Sequence, residues 1–278
     1  DADQTTFLAG NNPITTNTTS TAAGDIINLG KLQTTSLVLE GNNITIQNAA
    51  DITSNGSTPL TSTVTAKAAG IITVGHAVAE TTTRSFTING TATDKTVHDY
   101  ANDTYAGSGY TTSKLDSATA NVTKEYMLVE NVYDLQNMDA KLSGNYMLSG
   151  NIDASETRRW DTGAGFSPVA NGYYGFTGTF DGANHTITGL YINRPATEYR
   201  VGLFGYSTGT IQNVGLVGGS ITGKDGVGGV VGWNSSGTIT NAYNTGAVSG
   251  NESVGGVVGQ NSSGTITNAY NTGAVSGN

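Results

Sequence analysis

Residues 227–250 read VGGVVGWNSSGTITNAYNTGAVSG, and residues 254–277 read VGGVVGQNSSGTITNAYNTGAVSG. The two stretches differ at one position of 24, Trp233 against Gln260, and are offset by 27 residues. A diverged copy precedes them in Gly202-Leu203-Phe204-Gly205, Gly209-Thr210-Ile211-Gln212-Asn213 and Ser220-Ile221-Thr222-Gly223. Repetition at a fixed short period is the mark of a stacked architecture, in which no unit buries its apolar face alone. Each unit holds three apolar-and-Thr runs, Val227–Val231, Thr238–Tyr243 and Ala247–Ser249. Gly, Asn and Ser separate them, residues that supply positive φ or side-chain-to-backbone hydrogen bonds at turns. The runs are too short for helices and show no 3.6-residue period. Three short strands per turn describe an all-β fold, a right-handed parallel β-helix of roughly triangular section. Stacking at about 4.8 Å places Ile239 over Ile266, Val248 over Val275, Asn241 over Asn268 and Tyr243 over Tyr270. These rows are read as structural ladders. Coils are expected to continue beyond Asn278, because an open end exposes unpaired strand edges.

Composition narrows the rest. The 278 residues include 39 Gly and no Cys, which removes disulfide frameworks, thiolate metal sites and Cys nucleophiles. With 12 Lys and Arg against 21 Asp and Glu, the net charge of −9 argues against a nucleic-acid partner, which needs a basic face. No apolar run approaches the roughly 20 residues of a membrane span. The chain opens at Asp1 without a signal segment, and so reads as a mature protein or a fragment.

Four regions are expected. Of the 21 aromatic residues, only Phe7 and Phe86 precede position 100. Residues 1–95 are instead rich in Thr, Asn and Ile, with strand-like runs at 36–39, 43–46, 62–65 and 71–74. Residues 96–125 interrupt this rhythm and are read as an excursion from the solenoid. Residues 126–200 form a module with one short capping helix over 132–142. Asn131 caps it, Asp134 follows three residues later, Leu135, Met138 and Leu142 line one face, and Gly144 ends it. Residues 201–278 are the repeats.

The repeat unit resembles the glycine-rich GLUG motif of bacterial surface proteins. Upstream, Leu142–Tyr146, Asn151–Asp153, Trp160, Phe166–Val169, Gly178–His185 and Gly202–Gly205 look like the module that commonly precedes it. Residues 1–95 resemble filamentous-haemagglutinin coils. The resemblance implies an interior segment of an exoprotein of the two-partner secretion kind, exported through an outer-membrane transporter to the extracellular bacterial cell surface. Its implied role is a rigid adhesin stalk whose partners are cell-surface or matrix polysaccharide, or sister filaments. The family's Asn-Pro secretion motifs are not visible, since Asn12-Pro13 is not followed by the expected pattern.

Chemistry-bearing residues give little else. His76, His98 and His185 are scattered without metal-ligand spacing, and His98-Asp99 reads as a solvated loop. No Gly-x-Ser-x-Gly elbow exposes a serine nucleophile. Asp153 and Asp181 lie 28 residues apart, near one coil period, and are the one pair a polysaccharide hydrolase or lyase could use. Both are read as turn residues instead, so no catalytic residue, metal or cofactor is assigned. Asn-x-Ser/Thr triplets recur, among them Asn234 and Asn261, as an Asn- and Thr-rich composition alone would give. A binding surface is expected at the lengthened loops, in Arg158, Arg159, Trp160, Tyr173 and Tyr174, because exposed aromatics offer rigid contact area with a polar handle.

Overall fold

The computed structural model describes residues 81–102, 126–195 and 199–278 in full, and in 1–80 and 103–125 the backbone of the strands alone. The chain divides into two compact units, residues 1–80 with 103–127, and residues 81–102 with 128–278.

In the first unit the strands fall into three parallel columns. One holds Gln4–Phe7, Asp25–Asn28, Ile44–Ile46 and Ile71–Val74. A second holds Ile14–Thr15, Leu32–Gln33 and Ile52–Ser54, and a third Thr18–Thr21, Leu37–Gly41 and Val64–Ala68. A coil here takes three strands, and the runs read at 36–39, 43–46, 62–65 and 71–74 each contribute one. Thr111–Leu115 then pairs antiparallel with Ile71–Val74.

The second unit is a β-solenoid of about four turns. One full coil contains Asp225–Gly228, Val231–Ser235, Thr238–Asn244 and Ala247–Ser249. Each pairs in parallel with the residue 27 positions on: Val227 with Val254, Val231 with Val258, Ile239 with Ile266, Tyr243 with Tyr270 and Val248 with Val275. The three runs are all present, but the first is divided into two strands. Val227, Val230 and Val231 are all fully buried, and a flat strand would send one of two adjacent valines outward. A turn at Gly229 and Val230 lets all three face inward. Glycine is required there, because a Cβ on Gly229 would run into the Gly256 carbonyl of the next coil.

The third strand bends at Asn241, whose φ of 53° matches Asn213 below (54°) and Asn268 above (52°). Asparagine tolerates this left-handed conformation better than other side-chain-bearing residues. The bend also turns the amides into a ladder. Asn241 Nδ2 donates to Asn213 Oδ1 at 2.9 Å, and Asn268 Nδ2 to Asn241 Oδ1 at 3.2 Å. Beside it the Tyr243 and Tyr270 rings stack at 5.2 Å and 5°. The stack begins at Tyr243 because its ring lies over Gly215, where any side chain would collide with it.

Inside, Ile211, Ile239, Val214, Ala242, Ile221 and Val248 form the core of the repeats. Two further amide rows face inward, Asn234 Nδ2 donating to Asn261 Oδ1 and Asn244 Nδ2 to Asn271 Oδ1. Toward the N-terminal coils the core becomes aromatic: Phe176 and Phe180 pack on Phe204 at 4.8 and 5.3 Å.

Two elements are added to this unit. A hairpin, Thr81–Ile88 and Thr91–His98, turns at Asn89-Gly90, both with positive φ, so it straddles position 95. The helix spans Val132–Asn137 and tightens into a 3-10 turn over Met138–Ala140, stopping short of the expected residue 142. Met138 N–H already bonds Leu135 O, and Lys141 is no longer helical, so Leu142 is only half buried while Leu135 and Met138 are fully covered. Asn131 caps the helix as expected, its Oδ1 accepting from Tyr133 and Asp134 N–H at 2.9 and 3.0 Å.

Candidate functional site

The lengthened loops gather on the N-terminal coils. Ser155–Arg159 forms a 3-10 turn held by Thr157, whose hydroxyl donates to Ala154 O at 2.6 Å and accepts from Tyr191 N–H. This leaves Arg158 and Arg159 exposed, with the Arg158 guanidinium 5.2 Å from the Tyr191 ring centre. Trp160 differs from the expectation. It is 3% exposed, stacked on Tyr133 at 5.1 Å and flanked by Phe86 at 5.4 Å and Phe166 at 6.4 Å. Trp160 therefore fastens the hairpin and helix to the solenoid, and is not an exposed contact ring. Tyr173 and Tyr174 are the opposite case, 86% and 77% exposed, in an edge-to-face pair at 5.5 Å.

Next to Trp160 the hairpin and the following loop enclose a cleft of about 180 Å³, lined by Arg84, Phe86, Thr87, Gln136, Asp139, Asp161, Ser167 and Arg194. Arg194 reaches Asp161 Oδ2 at 2.8 Å and the carbonyls of Gly165 and Phe166. Arg84 Nη1 donates to Asn137 Oδ1 at 2.7 Å and to Gln136 O at 3.4 Å. Gln136 holds the loop, its Nε2 donating to Ser167 O and its Oε1 accepting from Ser167 N–H. Burial raises the Asp139 carboxyl above its ordinary range, against the opposing pull of the Ala170 N–H and the Arg84 charge.

His98 is a correction to the sequence reading. It is 6% exposed, not solvated, with Nδ1 3.2 Å from Asp134 Oδ2 and 3.4 Å from the Tyr100 hydroxyl, and with Glu130 at 3.9 Å. Burial alone would lower its pKa, but the Asp134 hydrogen bond and charge, with Glu130, outweigh it and leave the imidazole raised. Among the described residues His98, Glu130 and Asp134 also form a group whose ligand atoms lie within 4.8 Å, which the scattered histidines did not suggest. Asp134 is already engaged there: it accepts from His98 N–H, Asn131 Nδ2 and Glu130 N–H. The arrangement ties the hairpin end to the helix cap, and becomes an ion pair when His98 is protonated. The Asn89-Gly90 turn between alternating runs was the signal that could have placed His98 there.

Asp153 and Asp181 are placed differently from each other. Asp153 is exposed and accepts from Ser155 N–H, which lowers its pKa. Asp181 is fully buried and accepts from Ala183 N–H, Gln212 Nε2 and Asn213 Nδ2 at 2.7–2.9 Å. It anchors the first step of the asparagine corner. Asn234, within one of the Asn-x-Ser triplets, is also fully buried, which bars a glycan from it in the folded chain.

Fold and site together define a β-solenoid repeat protein with loops and a cleft grouped on its aromatic coils. The GLUG motif family matches residues 250–276, the last coil. Halomucin of Haloquadratum walsbyi is 43% identical over 126 residues, covering 42% of this chain and 1% of halomucin, so the chain matches only about one hundredth of that relative's length. A solved structure described as a "putative immunoglobulin A1 protease" from Bacteroides ovatus is similar with a TM-score of 0.46 and 25% identity, covering 53% of this chain and 47% of that one. Among the described residues no helix is long and apolar enough to cross a membrane.

Proposed function

We propose that the chain is an interior segment of a secreted surface adhesin or filament, a rigid stalk that presents loops for cell or polysaccharide adhesion. The observation that carries this reading is the in-register stacking of near-identical coils. Each added coil repeats the same backbone ladder, amide row and Tyr stack, so length and stiffness grow without a new folding problem. The GLUG motif and the likeness to halomucin support a surface or secreted place. The three-strand coils of residues 1–80 support the finer comparison with filamentous-haemagglutinin coils, and export through an outer-membrane transporter is part of that proposed reading. In this reading Tyr173 and Tyr174, with Arg158 and Arg159, are the exposed contact residues. Binding of the purified chain to a glycan array, with soluble sugar products assayed in the same wells, is the test. Retention without cleavage is expected; cleavage would replace the adhesin by a hydrolase or lyase.

A second reading is a self-assembling filament without ligand, supported by the same in-register ladders, which would run from chain to chain as they run from coil to coil. Concentration-dependent sedimentation of the chain, with no glycan retained, would favour this filament over the adhesin.

A further inference from the structure

The cleft beside Trp160 has a lining that chain packing alone does not use up. Arg84 bonds the helix only through Nη1, and among the described residues its Nε and Nη2 donate to nothing. Asp139 accepts one hydrogen bond, from Ala170 N–H to Oδ1 at 2.7 Å, and among the described residues its Oδ2 accepts none. Asp161 offers Oδ1 in the same way, its Oδ2 being held by Arg194. Spare donors and spare acceptors thus meet in one small space, beside the rings of Phe86 and Trp160.

We infer that this cleft binds one neutral, polyhydroxylated ring, a single hexose unit of a polysaccharide. Three features select that class. A hydroxyl donates and accepts at once, so adjacent hydroxyls can bridge the open donors of Arg84 and the open acceptor of Asp139. Two guanidinium groups face two carboxylates, so the cleft has no net charge to attract an anion, and an acidic sugar would meet Asp139 and Asp161. A volume of about 180 Å³ is below the ~300 Å³ of pockets that take drug-sized ligands, and suits one ring. The hairpin forms one wall and the 160–167 loop the other, so neither wall belongs to the repeated coils. The inference deepens the adhesin reading, to which it gives a site and a ligand class, and it relocates recognition from Trp160 itself to the space Trp160 supports.

The experiment uses the full chain carrying Trp233→Gln, the residue that position 260 already has, which leaves Trp160 as the sole tryptophan. Glucose, galactose, mannose and N-acetylglucosamine, and glucuronate as the acidic control, are titrated to tens of millimolar while Trp160 fluorescence is followed. The same protein is applied to the glycan array. Saturable change with at least one neutral hexose is expected, weakened at least tenfold by Arg84→Met. Thr87→Leu, a bulkier side chain at an exposed hairpin position on the cleft rim, is expected to block binding while circular dichroism stays unchanged. That variant covers the case in which Arg84→Met loosens the hairpin. Tighter binding of glucuronate than of every neutral sugar would overturn the ligand class. Array retention with no response at Trp160, or retention unaffected by Thr87→Leu, would overturn the site and leave the adhesin reading standing. No response and no retention would overturn both.

Discussion

In the 278-residue chain taken by itself, Ile239 and Ile266 offer a paired perturbation in which the local sequence is the same and the burial differs. Both sit in the run Gly-Thr-Ile-Thr-Asn-Ala-Tyr-Asn, so changes in the unfolded chain cancel between them. Ile239 is wholly buried between Ile211 and Ile266, while Ile266 is 41% exposed. Truncation of a buried Ile to Ala costs about 2–5 kcal/mol, through lost transfer energy and the cavity left behind. With neighbours on both sides Ile239→Ala belongs in the middle of that range, about 3 kcal/mol. Ile266→Ala removes a side chain that is roughly three-fifths buried and opens no closed cavity, so about 1–1.5 kcal/mol is expected. Urea unfolding followed by circular dichroism reads the difference. For an m-value of about 2–3 kcal/mol per molar, Ile239→Ala lowers the midpoint by about 1–1.5 M and Ile266→Ala by about a third to a half of that. Hydrogen exchange on both variants checks that the loss is not confined to a frayed last coil, since solenoids can unfold by parts. Equal losses at the two positions would refute the stacking order.

Other consequences follow from single sites. The raised His98 pKa means that its contribution is fully present below the unfolded value of about 6.5 and is lost as pH rises through the folded value. The melting temperature of wild type should therefore exceed that of His98→Gln by more at pH 6 than at pH 9, and an equal gap would remove the ion pair from the account. Asn131→Ala takes the acceptor from two helix N–H groups and should cost about 1 kcal/mol in the same unfolding assay. Trp160→Ala should destabilise by about 3–5 kcal/mol, as a core aromatic does. Tyr173→Ser with Tyr174→Ser should change stability by less than about 0.5 kcal/mol yet reduce retention on the glycan array.

Those contrasts mark where the sequence was legible. A 27-residue period with one change in 24 positions leaves only a stacked fold, and stacking forces equal residues into register. Asn241 over Asn268 and Tyr243 over Tyr270 could be read directly for that reason. The division of Val227–Val231 at Gly229 could not, because it depends on which valines find room inside the coil. Trp160 was hidden for another reason. Its partners Phe86 and Tyr133 come from the hairpin and the helix, elements distant in sequence, and a loop rich in charge disguised a core residue. His98 and the cleft share that origin, since both exist only once the hairpin folds back against the helix and the 160–167 loop. Local pattern reports the period of a solenoid well, and reports poorly on what is added to its side.

The in-register parallel stack is the claim on which the stalk and its loops rest, and a chain without cysteine allows it to be tested cleanly. Thr240 and Thr267 are paired in register on adjacent coils. Adjacent strands lie about 4.8 Å apart, within the range of Cα separations that a disulfide spans. Mild oxidation of Thr240→Cys with Thr267→Cys should give an intramolecular crosslink, seen as a mobility shift reversed by reductant. Thr240→Cys with Tyr270→Cys, three residues out of register, should stay reduced under the same conditions. Crosslinking of the second pair in place of the first would contradict the stack.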